Sequence, residues 1–135
     1  MQKLSCVLLI DDDATNNFLN KRLLHRLEVA DELWVAETGK EALALLSQAD
    51  RPSPDLILLD VNMPGMTGIE FLERYQAQRQ AQAHATVVIM LTTTMDSQEL
   101  SRINELHIDG LVSKPLTEEK LAYLLQLHFQ RSLPS

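Results

Sequence analysis

Five apolar runs recur along the chain, each short enough to form a β-strand. The predicted strands are Cys6–Ile10, Asp31–Glu37, Asp55–Asp60, Thr86–Leu91 and Ile108–Val112. The third run is almost entirely Leu and Ile, without polar alternation, which is typical of a strand that is covered on both faces. The second run carries more polar residues, so it is predicted to lie nearer an edge of the sheet.

Between these runs, apolar positions recur at helical spacing. Predicted helices run from Ala14 to about Val29, from Gly39, from Ile69 to about Gln80, from Asp96 to Leu106, and from Thr117 to Gln130. The predicted buried stripe of the first helix is Leu19, Leu23 and Leu27, widened by Phe18 and Leu24. Alternation of strands with helices predicts an α/β domain with a doubly wound, five-stranded parallel sheet flanked by five helices.

Polar side chains follow the predicted strands at the points where they end. Asp11 and Asp12 follow the first strand, Asp60 ends the third, and Thr92 and Lys114 follow the fourth and fifth. Because the carboxyl ends of parallel strands emerge at one edge of the sheet, these five side chains should converge there.

Such a cluster suits phosphoryl chemistry. Three carboxylates repel one another, and a hard divalent cation such as Mg²⁺ would relieve that repulsion. Lys114 and Thr92 could then hold a phosphoryl group on Asp60, since aspartate is an accepted nucleophile for phosphoryl transfer. Asp13 is predicted to cap the first helix instead.

Length, charge and composition limit the possible functions of the chain. The chain has 135 residues and a net charge of −7, which fits one domain and disfavours binding to nucleic acid or to an anionic membrane. A single domain over residues 1–135, with its core at about 5–130 and no output domain, is expected. The lone Cys6 lies in an apolar run, so a structural role in a reducing compartment, the cytoplasm, is expected. The four histidines lack zinc-ligand spacing.

Four segments together resemble the receiver domain of response regulators in two-component signalling. They are Leu9–Asp13, Leu58–Gly68, Met90–Thr92 and Ser113–Pro115, and the resemblance extends from about Cys6 to Gln130. It implies a flavodoxin-like fold, similar to a chemotaxis regulator, with the strand order 2-1-3-4-5.

The resemblance also implies roles for individual residues. Asp60 would be the phosphoacceptor, receiving its phosphoryl group from a sensor histidine kinase or a histidine phosphotransfer protein. Mg²⁺ would be bound directly by Asp12 and Asp60, through water by Asp11, and by the backbone carbonyl of Asn62. The chain would act as a signalling protein that is read by an unknown downstream protein, and not as a turnover enzyme.

Further roles concern the phosphoryl contacts and the conformational switch. Thr92 and Lys114 would contact the phosphoryl oxygens, and the Lys114–Pro115 peptide bond would be cis. The family often has an aromatic residue three positions before this lysine, where Leu111 stands in this chain. An aliphatic side chain cannot reproduce the ring rotation, although a shift after Thr92 could still act on the face formed by helix 4, strand 5 and helix 5. A homodimer through that face is also allowed.

Two alternatives remain open from the sequence. Asp11-Asp12-Asp13-Ala14-Thr15 fits the D-x-D-x-T motif of a small haloacid-dehalogenase-like phosphatase, in which Asp11 would be the nucleophile and Asp13 the general acid/base. In that case the segment from Asp60 to Gly68 would have no explanation. The other alternative is a receiver-like module that binds a partner without being phosphorylated.

Overall fold

The computed structural model describes residues 3–48, 53–61, 63, 65–78, 86–93, 101 and 108–130. In these residues the strands are β1 (Leu4–Ile10), β2 (Ala30–Ala36), β3 (Leu56–Asp60), β4 (Val87–Thr92) and β5 (Gly110–Ser113). The helices are α1 (Ala14–Arg26), α2 (Gly39–Leu46), α3 (Gly68–Gln78) and α4 (Glu118–Phe129). The helix predicted from Asp96 to Leu106 lies outside the described residues except for Ser101.

The five strands form one parallel sheet in the order β2-β1-β3-β4-β5, which confirms the predicted doubly wound fold. The strand β2 lies at an edge, as its polar residues indicated. Ile10 pairs with Leu59 across the two central strands, so Asp11 and Asp60 follow at the same level. On the other side Thr92 pairs with Ser113, the residue before Lys114. The register therefore sets the predicted site residues along one edge of the sheet.

Apolar side chains cover both faces of the sheet. Leu8, Ile10, Ile57 and Leu59 belong to one buried cluster, whereas Leu9 and Leu58 belong to the other. The first cluster also contains residues of α2 and α3, and the second contains residues of α1 and α4. Burial of successive residues on opposite faces explains why β1 and β3 show no polar alternation.

The predicted buried stripe of α1 is wrong at two positions. Phe18 and Leu19 are 63% and 53% exposed, respectively. The buried positions within the helix are Asn17 and Leu24, which stand seven residues, or about two turns, apart. The predicted positions Leu24 and Leu27 are buried, and Leu23 packs against the same core cluster. The pattern of apolar residues is therefore correct at the end of the helix, and it fails near the start, where a polar residue takes the inward position.

In α3 and α4, apolar residues at helical spacing face the core. Ile69, Leu72 and Tyr75 of α3 are buried, as are Leu121 and Leu124 of α4. None of the helices in the described part of the chain has the length and apolar character that crossing a bilayer requires.

Candidate functional site

Three carboxylates meet at the carboxyl edge of the sheet. Asp11, Asp12 and Asp60 each offer an oxygen, and these oxygens lie within 4.8 Å of one another. Asp11 and Asp60 are buried, whereas Asp12 is exposed. Mg²⁺ binds oxygen ligands at about 2.1 Å and commonly takes one or two protein carboxylates, so small side-chain movements would let one ion share this donor set. The arrangement therefore fits a hard divalent cation.

Lys114 faces two of these carboxylates. Its Nζ lies 2.9 Å from Asp60 Oδ1 and 3.4 Å from Asp11 Oδ2. The strand β5 brings it there, because the Lys114 backbone N–H donates to the Thr92 carbonyl at 2.8 Å. The Lys114–Pro115 peptide bond is cis. Lys114 thus offsets negative charge where two buried acids would otherwise repel.

A second lysine, Lys120, makes hydrogen bonds to the loop that follows β5. Lys120 Nζ donates to the carbonyl oxygens of Ser113 and Pro115 at 2.7 and 3.0 Å, and to the Ser113 hydroxyl at 3.2 Å. These acceptors lie on both sides of Lys114 in the chain. A lysine at this place in α4 therefore holds the backbone from which Lys114 extends.

The surroundings of Lys114 change its pKa. Burial by itself would lower the pKa, but the hydrogen bond to Asp60 and the negative charges of Asp11 and Asp60 outweigh that effect. The pKa of Lys114 is raised above the ordinary value of 10.5 as a result. The ammonium form is thus favoured in the folded protein.

This raised pKa predicts how stability depends on pH. The contribution of Lys114 is fully present well below pH 10.5 and is lost as the pH rises through the higher pKa of the folded state. The quantity to measure is the difference in unfolding free energy between wild type and Lys114→Met, because that difference isolates the contribution of this residue. We expect that difference to shrink above pH 10.5, and a constant difference would contradict the prediction.

The loop after β3 passes close to the backbone of Asp60. The Gly68 N–H donates to the Val61 carbonyl at 2.9 Å, and a Cβ at Gly68 would overlap the Asp60 carbonyl oxygen. It would also lie 2.9 Å from the Val61 Cα, and neither of these backbone atoms can move aside freely. Only glycine allows α3 to begin this close to the end of β3. Asn62, the predicted carbonyl ligand of Mg²⁺, lies outside the described residues.

Asp13 has the predicted capping role. Its carboxylate accepts hydrogen bonds from the backbone N–H groups of Thr15 and Asn16, at 2.8 and 3.1 Å. Unlike Asp11 and Asp12, it does not belong to the group of three acids. Its carboxylate stabilises the start of α1.

Replacing Asp13 by Ala should lower the unfolding free energy by about 1 kcal/mol, because two backbone donors of α1 lose their acceptor. Asp13→Asn is the matched control, since asparagine caps helices about as well as aspartate while lacking the charge. Urea unfolding of both variants would check this. Equal losses in the two variants would show that charge, and not capping, is responsible.

The remaining predicted residues lie on β4 and β5. Thr92 is buried at the end of β4, next to Ser113 of the neighbouring strand. Leu111, at the predicted switch position, lies on β5 and is 44% exposed. Their roles in phosphoryl contact and switching stay predictions.

One buried polar residue beside the acids was missed from the sequence. Asn17 Nδ2 donates to the Asp11 backbone carbonyl at 2.7 Å, and the residue is only 6% exposed. The sequence did contain a signal for this residue. Asparagine is a weak helix former, and Asn17 stands two turns before Leu24, on the same side of the helix. The apolar residues of α1 by themselves do not indicate that this position is buried.

Known proteins are similar in sequence to this chain. A family model described as the response regulator receiver domain matches residues 7–126. The transcriptional regulatory protein CpxR of Klebsiella pneumoniae is 39% identical over 128 residues, which cover 93% of this chain and 50% of CpxR. The chain thus spans about half the length of the CpxR proteins it matches. The chemotaxis protein CheY-3 of Vibrio cholerae is 30% identical over 93% of this chain and 92% of CheY-3.

Solved structures of response regulators and chemotaxis proteins have a similar fold. A two-component response regulator from Cytophaga hutchinsonii matches with a TM-score of 0.81 and 30% identity, over 96% of this chain and 100% of that one. The chemotaxis protein CheY4 of Vibrio cholerae matches with a TM-score of 0.76 and 31% identity, over 92% and 98% of the two chains. The family match does not support the haloacid-dehalogenase-like alternative. The sheet order and the acids at the carboxyl edge of the sheet agree with the family match. The chain belongs to the response regulator receiver domains of two-component signalling.

Proposed function

We propose that the chain is a phosphorelay switch in which Asp60 accepts a phosphoryl group from a phosphohistidine of a sensor histidine kinase or a histidine phosphotransfer protein. One observation carries this proposal. The Asp60 carboxylate lies at the carboxyl edge of the sheet, grouped with two further acids and 2.9 Å from the ammonium of Lys114. A carboxylate that only capped a helix would not need this combination of charges.

The transfer is a displacement at phosphorus. A carboxylate oxygen of Asp60 forms a bond to phosphorus while the bond between phosphorus and the donor's imidazole nitrogen breaks, and the imidazole keeps the electron pair. The product is an acyl phosphate. Lys114, which pairs with Asp60 before transfer, would contact the phosphoryl oxygens afterwards as a compact positive charge. Thr92 would donate a hydroxyl hydrogen bond to the same group.

Asp11, Asp12 and Asp60, with the Asn62 carbonyl, would hold Mg²⁺. When bound, the ion would neutralise charge on the phosphoryl oxygens and reduce repulsion among the acids. Lys114 contributes one positive charge beside three carboxylates, so a bound divalent cation would offset more of their negative charge.

The phosphorylated state would be read by another protein, which could be a second copy of this chain. An exposed apolar patch on β5 and α4 supports this part of the proposal. Leu111, Tyr123 and Leu127 are exposed and line a groove of about 480 Å³. Because Leu111 has no ring, the signal would reach this patch by a shift of backbone after Thr92.

Phosphoryl uptake tests the proposal. The protein would be incubated with Mg²⁺ and a small phosphodonor such as acetyl phosphate, then examined by intact-mass spectrometry. We expect one phosphoryl group per chain in the presence of Mg²⁺, and none when EDTA removes the ion. A folded protein that takes up no phosphoryl group from this donor or from a phosphohistidine protein would instead be a receiver-like binding module.

A further inference from the structure

Asn17 stands out among the buried residues of α1. It is 6% exposed in the second turn of the helix, whereas the adjacent Phe18 is 63% exposed. Its Nδ2 donates to the Asp11 carbonyl at 2.7 Å. Its Oδ1 is fully buried, and no group in the described residues donates a hydrogen bond to it.

Packing alone does not account for an amide at this position. A buried acceptor without a donor destabilises the folded state, and an apolar residue of similar size would avoid that cost. The one hydrogen bond that the Asn17 side chain makes in the described structure leads to Asp11. The hydrogen bond to Asp11 is therefore the feature of Asn17 that a function would use.

The bond to Asn17 fixes the backbone where the chain leaves β1 at Asp11 and Asp12, here called the Asp11–Asp12 corner. Asp11 is held on one side by its N–H, which donates to the Ala36 carbonyl at 3.1 Å, and on the other by its carbonyl, which accepts from Asn17. Asp12 is exposed, and no described group donates a hydrogen bond to its carboxylate. The position of the Asp12 carboxylate therefore depends on how firmly the neighbouring backbone is held.

We infer that Asn17 is a positioning residue that holds the Asp11–Asp12 corner in the arrangement that binds a divalent cation. This inference rests on the proposed function, because the cation is the one that phosphoryl uptake would use. Residues that orient metal ligands without touching the metal commonly change metal affinity by about tenfold or more when they are replaced.

Titration with Mg²⁺ alone, followed by amide NMR chemical shifts, tests this inference. Asn17→Leu removes the donor and keeps a similar volume. Asn20→Leu is the matched control, since Asn20 is a half-buried asparagine one turn further along α1. We expect Asn17→Leu to bind Mg²⁺ about tenfold more weakly than wild type, and Asn20→Leu to bind it as wild type does. Without Mg²⁺, the urea midpoint of Asn17→Leu should stay close to that of wild type, because a costly buried acceptor is removed along with the bond.

The outcomes separate a positioning role from a structural one. Wild-type affinity in Asn17→Leu, or a lower urea midpoint with unchanged Mg²⁺ affinity, would overturn the inference. Asn17→Ala, which also lacks the donor, should show the same loss of affinity and replaces Asn17→Leu if leucine prevents folding. Absence of Mg²⁺ binding by the wild-type protein would contradict the proposed function itself, which keeps the two failures distinct.

Discussion

Replacing Lys114 by Met is expected to lower the unfolding free energy by about 2–3 kcal/mol in the absence of divalent cations. The substitution keeps an unbranched side chain but leaves the buried carboxylates of Asp11 and Asp60 without the cation that lies 3.4 and 2.9 Å from them. Leaving buried charges uncompensated is among the few changes that destabilise a domain this strongly. The value is below the upper range for buried pairs, because the Lys114 side chain is 18% exposed.

Urea unfolding at neutral pH, with EDTA and then with Mg²⁺, measures this effect. We expect Mg²⁺ to reduce the deficit of Lys114→Met, because a bound cation would replace the missing positive charge. Lys40→Met is the control, since Lys40 is an exposed lysine on α2. A loss no larger than that of the control, or a deficit that Mg²⁺ leaves unchanged, would contradict the electrostatic account of the site.

Replacing Asp60 by Asn is expected to abolish phosphoryl uptake completely, because the amide oxygen is not a competent nucleophile for this transfer. Asparagine has nearly the same shape and can still accept a hydrogen bond from Lys114, so the variant should fold. Uptake from acetyl phosphate with Mg²⁺ would be followed by intact mass for wild type and variant.

Asp13→Asn is the matched control for this experiment. It removes a neighbouring acid and retains a capping side chain, so phosphoryl uptake should stay at the wild-type level. A large loss of uptake in Asp13→Asn would point to the roles that the D-x-D-x-T motif assigns. Wild-type uptake by Asp60→Asn would show that the phosphoryl group goes elsewhere.

Much of the fold could be predicted from the local pattern of apolar and polar residues in the sequence. Unbroken apolar runs such as Leu56–Leu59 predict central parallel strands, and the strand alternation with helices then fixes the sheet class. From that class alone, Asp11, Asp60, Thr92 and Lys114 were expected at one edge. In the structure Lys114 contacts both Asp11 and Asp60, as expected of residues at neighbouring strand ends.

Other features depend on tertiary contacts that no local pattern contains. The buried side of α1 was misassigned only near the start of the helix, at Phe18 and Leu19, because Asn17, and not an apolar residue, faces inward there. The contacts of Lys120 with the loop around Lys114 join residues whose spacing in the sequence carries no signal. The need for glycine at position 68 became evident only from its approach to the Asp60 backbone.

Identification of the residue that carries the phosphoryl group tests the central claim most directly. The protein would be phosphorylated with acetyl phosphate and Mg²⁺, the acyl phosphate reduced with borohydride, and the modified residue located by peptide mass spectrometry. The proposed function predicts a single modified residue, Asp60, in the peptide that contains the end of β3. Modification of Asp11, or of a histidine, with Asp60 unmodified would contradict it.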